Sequence, residues 1–197
     1  MRSIINVNRE VSVTKIALTG QLRSGKDAAA HHAYLHHGFK KYAFATDVKK
    51  TAHTLFPHIP TDPKPRALYQ QVGEKACEID PLVWVRLVER QIGLHIEGSI
   101  SLGDEDIRVI ITDLRKPAEY EWARSQGYSI VRITAPEDVR LARAKAAGDD
   151  FKPADLTHDT ESYVEGFEVD YEVINDGSLA ELYEKMDEVI AKIKEAE

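Results

Sequence analysis

The sequence predicts a three-layer α/β domain on a five-stranded parallel sheet, and three observations predict it. Short apolar runs suited to buried strands alternate with helical segments along most of the chain. A glycine-bracketed loop joins the first of these strands to the first helix. The chain has 197 residues and 43% hydrophobic content, which fits one domain with a core that folds without disulfides.

The elements follow in order. Lys15 to Thr19 is a short apolar run that stops at Gly20, as a buried parallel strand does before its loop. Asp27 to His37 reads as a helix closed by Gly38, and Lys41 to Ala45 as a second strand. A helix from about Thr46 to Leu55 ends in a turn where Pro57, Pro60, Pro63 and Pro65 break the helical pattern. From Arg66 to about Ile96 two helices, interrupted near Asp80-Pro81, run with no strand between them. This is a helical insertion over about 57–105, set between core segments 14–56 and 106–197.

"DIRVIITDL", Asp106 to Leu114, is the most apolar short run and predicts a central strand ending at Thr112-Asp113. Pro117 to about Gln126 reads as a helix with proline at its permissive first turn and Gly127 at its end. Tyr128 to Thr134 is a fourth strand and Pro136 to Ala147 a further helix. Phe151 to Val169 has mixed charge and little periodicity, so it reads as a mobile loop. Asp170 to Asp176 is the fifth strand, and Ser178, a residue type suited to capping, opens a closing helix that runs to about Lys194.

Composition narrows the function. With 33 acidic against 26 basic residues the net charge is -7, which argues against a nucleic-acid binder with a broad cationic face. The single cysteine, Cys77, forms no internal disulfide, fits a small buried residue, and points to a reducing compartment, most simply the cytoplasm. Met1 to Val13 lacks an apolar core of signal-peptide length, and no stretch approaches the roughly 20 apolar residues of a membrane span. The oligomeric state leaves no readable mark.

Gly20-Gln21-Leu22-Arg23-Ser24-Gly25-Lys26 matches the phosphate-loop pattern G-x-x-x-x-G-K between a strand and a helix, the context that makes the pattern a mechanism. Its glycines, the main-chain amides of Arg23 and Ser24, and the helix start would cradle ATP phosphates, while Lys26 reaches the outer ones. Asp27 stands where a magnesium-ligating hydroxyl is usual. A carboxylate is a good ligand for Mg2+ but adds charge beside the phosphates, so Asp27 either ligates the metal or caps the helix while Asp113 does most of the metal work. Asp113, at the end of the third strand, would hold magnesium through water, and Arg115 would clamp a phosphate bidentately. The bland alternative for Asp113 to Pro117 is a capped helix start, a duty compatible with the catalytic one.

Four blocks, "GQLRSGKD", "YQQVGEKACEIDPLVWVRLV", "VIITDLRKPAEYEWARSQG" and "HDTESYVEGFEVDYEVINDGS", resemble successive blocks of the phage-type deoxynucleoside monophosphate kinases. The same order, with a loop ending Ser-Gly-Lys-Asp, is similar to animal-type phosphomevalonate kinases. The resemblance covers about Ile16 to Glu184 and implies a P-loop, nucleoside-monophosphate-kinase-like fold that uses ATP and Mg2+. It also implies that Asp27 is a usual variant of the loop. The acceptor would be a phosphorylated small molecule, most specifically a deoxynucleoside monophosphate, with no nucleic-acid or membrane partner. Carried over by position, Asp47, Lys50, Arg66, Glu74, Trp84 and Arg115 would line the acceptor site. Arg140 and Arg143 match lid arginines that close over the transferring phosphoryl group, although beyond Lys145 the lid has few further cations. Dephospho-coenzyme A kinase and phosphomevalonate kinase are the rival activities. A hydroxyl acceptor, as in the first, would need a base, for which Asp47 is the candidate. A catalytically silent nucleotide-binding module or switch is the reading from a different class.

Other residues carry blander readings. His31, His32, His36 and His37 form two pairs on the first helix, and His32 with His36 has a metal-pair spacing. No carboxylate lies between them to act as a metalloprotease base, so a solvated helix face is the simpler account. His158 either contacts substrate or orders its loop. Trp84 either stacks on a base or fills the insertion's core. Lys64 and Arg66 fit solvated charges as well as phosphate ligands. Asn175-Asp176-Gly177 either borders an adenine or makes a plain strand-to-helix turn.

Overall fold

The computed structural model describes residues 11–147 and 159–196. The elements run β1 (Ser12–Thr19), α1 (Lys26–His37), β2 (Lys40–Tyr42), α2 (Phe44–Leu55), α3 (Arg66–Ile79), α4 (Val83–Leu102) and β3 (Asp106–Ile111). They continue with α5 (Pro117–Ser125), β4 (Ser129–Thr134), α6 (Glu137–Ala146), α7 (Asp159–Gly166), β5 (Tyr171–Ile174) and α8 (Leu179–Ala196). The strands form one parallel sheet in the order β2-β3-β1-β4-β5. β1 is therefore central, and the chain leaves it toward opposite sides of the sheet. That switch point, at the carboxyl end of β1, is where open α/β sheets bind ligands.

The two-residue period of the strands builds the three layers. Ile16, Leu18, Ile110, Val131 and Ile133 face α1 and α8, where Ala29, Ala30 and Ala33 let α1 approach closely and Leu182, Met186 and Ile190 fill the space beside it. Ala17, Val109, Ile111 and Ile130 face the other way, onto Phe44 of α2, Trp84, Val85, Val88 and Ile92 of α4, and Ala123 of α5. The second helix of the insertion thus supplies much of one core, while α3, with only Gly73 buried, rides on the outside. No described helix is long and apolar enough to cross a membrane.

Several boundaries differ from the sequence expectation. β2 stops at Tyr42, and Phe44 and Ala45 belong to α2 because the Asp113 carboxylate accepts both of their amides, at 2.9 Å each. α4 runs on to Leu102, where Gly103 takes the left-handed conformation (φ 94°) and caps it. Within the stretch read as a loop, 159–166 forms α7, whose Val164 is buried. Residues 151–158 of that stretch lie outside the described residues, with the N-terminal tail to residue 10 and His158. At α8 the expected cap is present: Glu181 N–H donates to Ser178 Oγ, and Ser178 N–H to Glu181 Oε2.

Candidate functional site

The loop after β1 is held by packing as well as by its own conformation. Gly20 (φ 140°) and Gly25 (φ 109°) adopt backbone angles that side chains oppose. A Cβ on Gly20 would lie 2.1 Å from the Ile133 carbonyl oxygen, and one on Gly25 2.2 Å from Asn175 Nδ2. The loop therefore sits directly on the ends of β4 and β5. Arg23 is the only described non-glycine residue with positive φ, at 62°, a strained position of the kind that clusters at functional sites.

Lys26 is buried, and its ammonium donates to the carbonyls of Gly20 (2.5 Å) and Gln21 (2.7 Å), so it lies across the mouth of its own loop. Asn175, 2% exposed, ties the loop to a second cation. Its Nδ2 donates to Ser24 O at 2.8 Å, and its Oδ1 accepts from Arg143 Nη2 at 3.2 Å. Arg140 is buried one helical turn earlier on α6. Its Nε and Nη1, Arg143 Nη1 and Ser24 Oγ are buried without a hydrogen-bond partner. Buried guanidinium donors without acceptors are costly, and an anion would satisfy them. Gln21 is bonded to Glu165 of α7 at 2.7 Å, which links the loop to the expected lid region.

On the other side of β1, Leu114 N–H donates to Leu18 O and Thr19 Oγ1 to Leu114 O, so the end of β3 is latched beside the loop. Asp113, half-buried, and Glu119, buried, stand there as helix-start acceptors. Asp113 holds the first amides of α2, and Glu119 Oε2 accepts from the amides of Arg115 and Lys116 at 2.9 Å each. Desolvation pushes the Asp113 carboxyl up, against the pull of the Ala45 and Phe44 amides, Arg115 and Lys49. Desolvation likewise raises Glu119, to about 7, with the Asp113 charge adding to the rise. Asp27 is exposed on the first turn of α1 and lines a cleft of about 440 Å³ with Lys41, Tyr42, Thr46 and Thr112. The cap position of α1 is Gly25, which has no side chain to contribute. The donor set fits a hard cation: the exposed Asp27 carboxylate lines the cleft directly, whereas each Asp113 oxygen already accepts an amide.

The residues expected to meet the acceptor are less concentrated. Arg115 is half-buried beside Asp113, whose carboxyl it pulls down. Lys50 is exposed on α2, Arg66 is exposed at the start of α3, and Glu74 is exposed on α3, accepting from Gln70 Nε2. Asp47 is buried, and Gln91 Nε2 of α4 donates to both its oxygens at 3.0 and 2.9 Å. Trp84 is 5% exposed, and its indole N–H donates to Gly73 O, so it fills the insertion's core and offers no face for a base. Cys77 is half-buried, 3.6 Å from Lys116 Nζ, rather than fully enclosed. Asn175 is the residue whose role the sequence left open; the spacing of a strand end says nothing about its two partners.

No protein-family model and no curated protein matches the chain. Among solved structures, a sugar kinase from Janibacter sp. HTCC2649 is 18% identical over 91% of this chain and 95% of its own, with a TM-score of 0.57. A dephospho-CoA kinase from Campylobacter jejuni is 14% identical over 94% of this chain and 99% of its own, TM-score 0.53. Shikimate kinase from Acinetobacter baumannii, solved with shikimate, is 14% identical over 92% and 94%, TM-score 0.52. These likenesses show the fold that the chain shares with them: a three-layer α/β domain on a parallel sheet with a helical insertion.

Proposed function

We propose that this protein transfers the terminal phosphoryl group of ATP to a phosphorylated small molecule, most specifically the phosphate of a deoxynucleoside monophosphate. The observation that carries the reading is the set of buried, unpartnered guanidinium N–H groups of Arg140 and Arg143, coupled through Asn175 to the Ser24 carbonyl of the phosphate loop. A nucleotide-dependent switch does not require such donors. A kinase needs them, because phosphoryl transfer asks for positioning and charge neutralisation rather than a covalent catalyst.

In this reading the loop from Gly20 to Asp27 grips the ATP phosphates, and Lys26 exchanges its two loop carbonyls for the migrating group. Arg115, Arg140 and Arg143 stabilise charge in the transition state. Asp27, with Asp113 through water, would hold magnesium, which when bound neutralises phosphate charge. Residues 57–105 would form the acceptor-binding insertion, with Asp47, Lys50, Arg66 and Glu74 on the acceptor side, and 140–168 the lid that excludes water. Asp47 is engaged by Gln91 and buried, a poor starting point for a general base. An acceptor phosphate, already nucleophilic, requires none, which favours it over the hydroxyl acceptor of a dephospho-coenzyme A kinase. One cysteine and an acidic surface fit a cytoplasmic enzyme with no nucleic-acid partner.

The test is ADP release from ATP and Mg2+ against a panel of deoxynucleoside and ribonucleoside monophosphates, phosphomevalonate and dephospho-coenzyme A. Acceptor-dependent release with at least one monophosphate is expected. Tight ATP binding with no product from any acceptor would overturn the reading in favour of a binding module.

A further inference from the structure

At the far end of α1 from the phosphate loop, a second constellation stands apart from the kinase site. His32 Nε2 and His37 Nε2 both lie 2.6 Å from one oxygen, Oδ1 of Asp187 on α8. The three ligand atoms are all within 4.8 Å of one another. The pairing differs from the sequence expectation, since His32 joins His37 rather than His36 as a ligand, and the carboxylate missing from α1 comes from α8. We propose that His32, His37 and Asp187 form a binding site for a divalent transition metal of the Zn2+ type, clamping α1 to α8.

Four features of the molecule favour a cation over a plain hydrogen-bonded trio. Two imidazole nitrogens converge on a single carboxylate oxygen and leave Oδ2 to neither, as ligands around one point do. Imidazole nitrogen with one carboxylate is a donor set suited to Zn2+ and its neighbours rather than to Mg2+ or Ca2+. His32 is held in a fixed orientation, being 9% exposed and stacked on Tyr183 with ring centroids 4.4 Å apart and planes within 5°. Such outer contacts fix the direction of metal-binding imidazoles. His37 also lies in the last turn of α1, whose carbonyl end carries partial negative charge.

The geometry is within reach of coordination. Zn2+ takes nitrogen and oxygen ligands at about 2.0–2.2 Å, which sets tetrahedral neighbours roughly 3.4 Å apart. The half-exposed Asp187 carboxylate would back away from the imidazoles by less than about 1 Å, a movement that its side-chain rotation supplies. Water would complete the fourth position. His36, whose ring centroid lies 4.7 Å from that of His32, flanks the trio without joining it.

The experiment uses the full chain without nucleotide. Co2+ is titrated in as a visible-spectrum probe of the site and Zn2+ is measured by calorimetry, with melting followed after chelation and after Zn2+ addition. One Zn2+ per chain, d–d absorption from bound Co2+, and a higher Tm with Zn2+ are expected. Asp187→Asn and His37→Ala should each weaken Zn2+ roughly 100-fold or more, and Tyr183→Ala about 10-fold, while His31→Ala leaves the affinity unchanged. Far-UV circular dichroism of each variant separates lost binding from lost folding, and Asp187→Asn keeps the shape of the trio. Absence of a one-to-one site, or Zn2+ affinity in folded Asp187→Asn and His37→Ala equal to that of the parent, would overturn the proposal.

Discussion

Asn175 Nδ2 donates to the Ser24 carbonyl oxygen at 2.8 Å, joining the end of β5 to the middle of the phosphate loop across 151 residues of sequence. The same amide accepts from Arg143, so one buried side chain sets the distance between the loop and a cation of α6. Asn175→Ala leaves both groups short of a partner. Stability should fall by about 2 kcal/mol, and affinity for a fluorescent ATP analogue by roughly tenfold or more. Melting curves and an analogue titration check both; a change in melting alone would make Asn175 a purely structural tie.

Lys26 and the arginines of α6 make opposite demands on the fold. Lys26 is satisfied by loop carbonyls, so Lys26→Ala should lower turnover by about 10²–10³-fold with the circular dichroism spectrum intact. Unchanged turnover would remove the mechanism.

Arg140 is a buried charge with two unpartnered atoms, which costs the nucleotide-free protein stability. Arg140→Met keeps the bulk of the side chain and removes that cost. The variant should melt at a higher temperature than the parent yet lose at least about 10²-fold in kcat. Lower stability and undiminished kcat together would show that Arg140 serves packing alone.

How far the sequence reveals this site depends on range. The sheet and the loop were legible because their signals are local: an apolar run, a glycine at each end, a lysine at a fixed offset. The start of α2 was not, because Ala43 offers no side-chain cap and the acceptor arrives from Asp113, 69 residues away. α7 was missed for a related reason. It is a short helix of eight residues, anchored from outside by Gln21 and Arg132, which donate to Glu165. Trp84 shows the limit from the other side: its position in a motif could not say whether its ring faced a ligand or the core, and only the hydrogen bond to Gly73 does.

Asp113→Ala tests the cap on α2 directly. Two amides lose their acceptor, so the protein should be destabilised by about 1–2 kcal/mol. Asp113→Asn retains one acceptor oxygen and should lose about half as much. Urea unfolding of the pair against the parent gives the comparison, and equal stability of all three would mean the amides find other partners.

Glu119 gives the protein a pH dependence of defined sign. Its carboxyl is raised from 4.5 to about 7, chiefly by desolvation, so between these values the native state holds a proton that the unfolded chain has released. Stability from this group is full below about 4.5 and is lost as pH rises through about 7. Glu119→Gln keeps an oxygen for the amides of Arg115 and Lys116 but cannot ionise. Relative to that variant, the parent should lose on the order of 2 to 3 kcal/mol between pH 5 and pH 8, read by urea unfolding at each pH. The Asp113 charge contributes to the rise, so adding Asp113→Asn to the parent should shrink the effect and move its midpoint toward lower pH. A parent and a Glu119→Gln variant whose stabilities run parallel across that range would mean that Glu119 titrates as an ordinary surface carboxylate and that its cap is solvated.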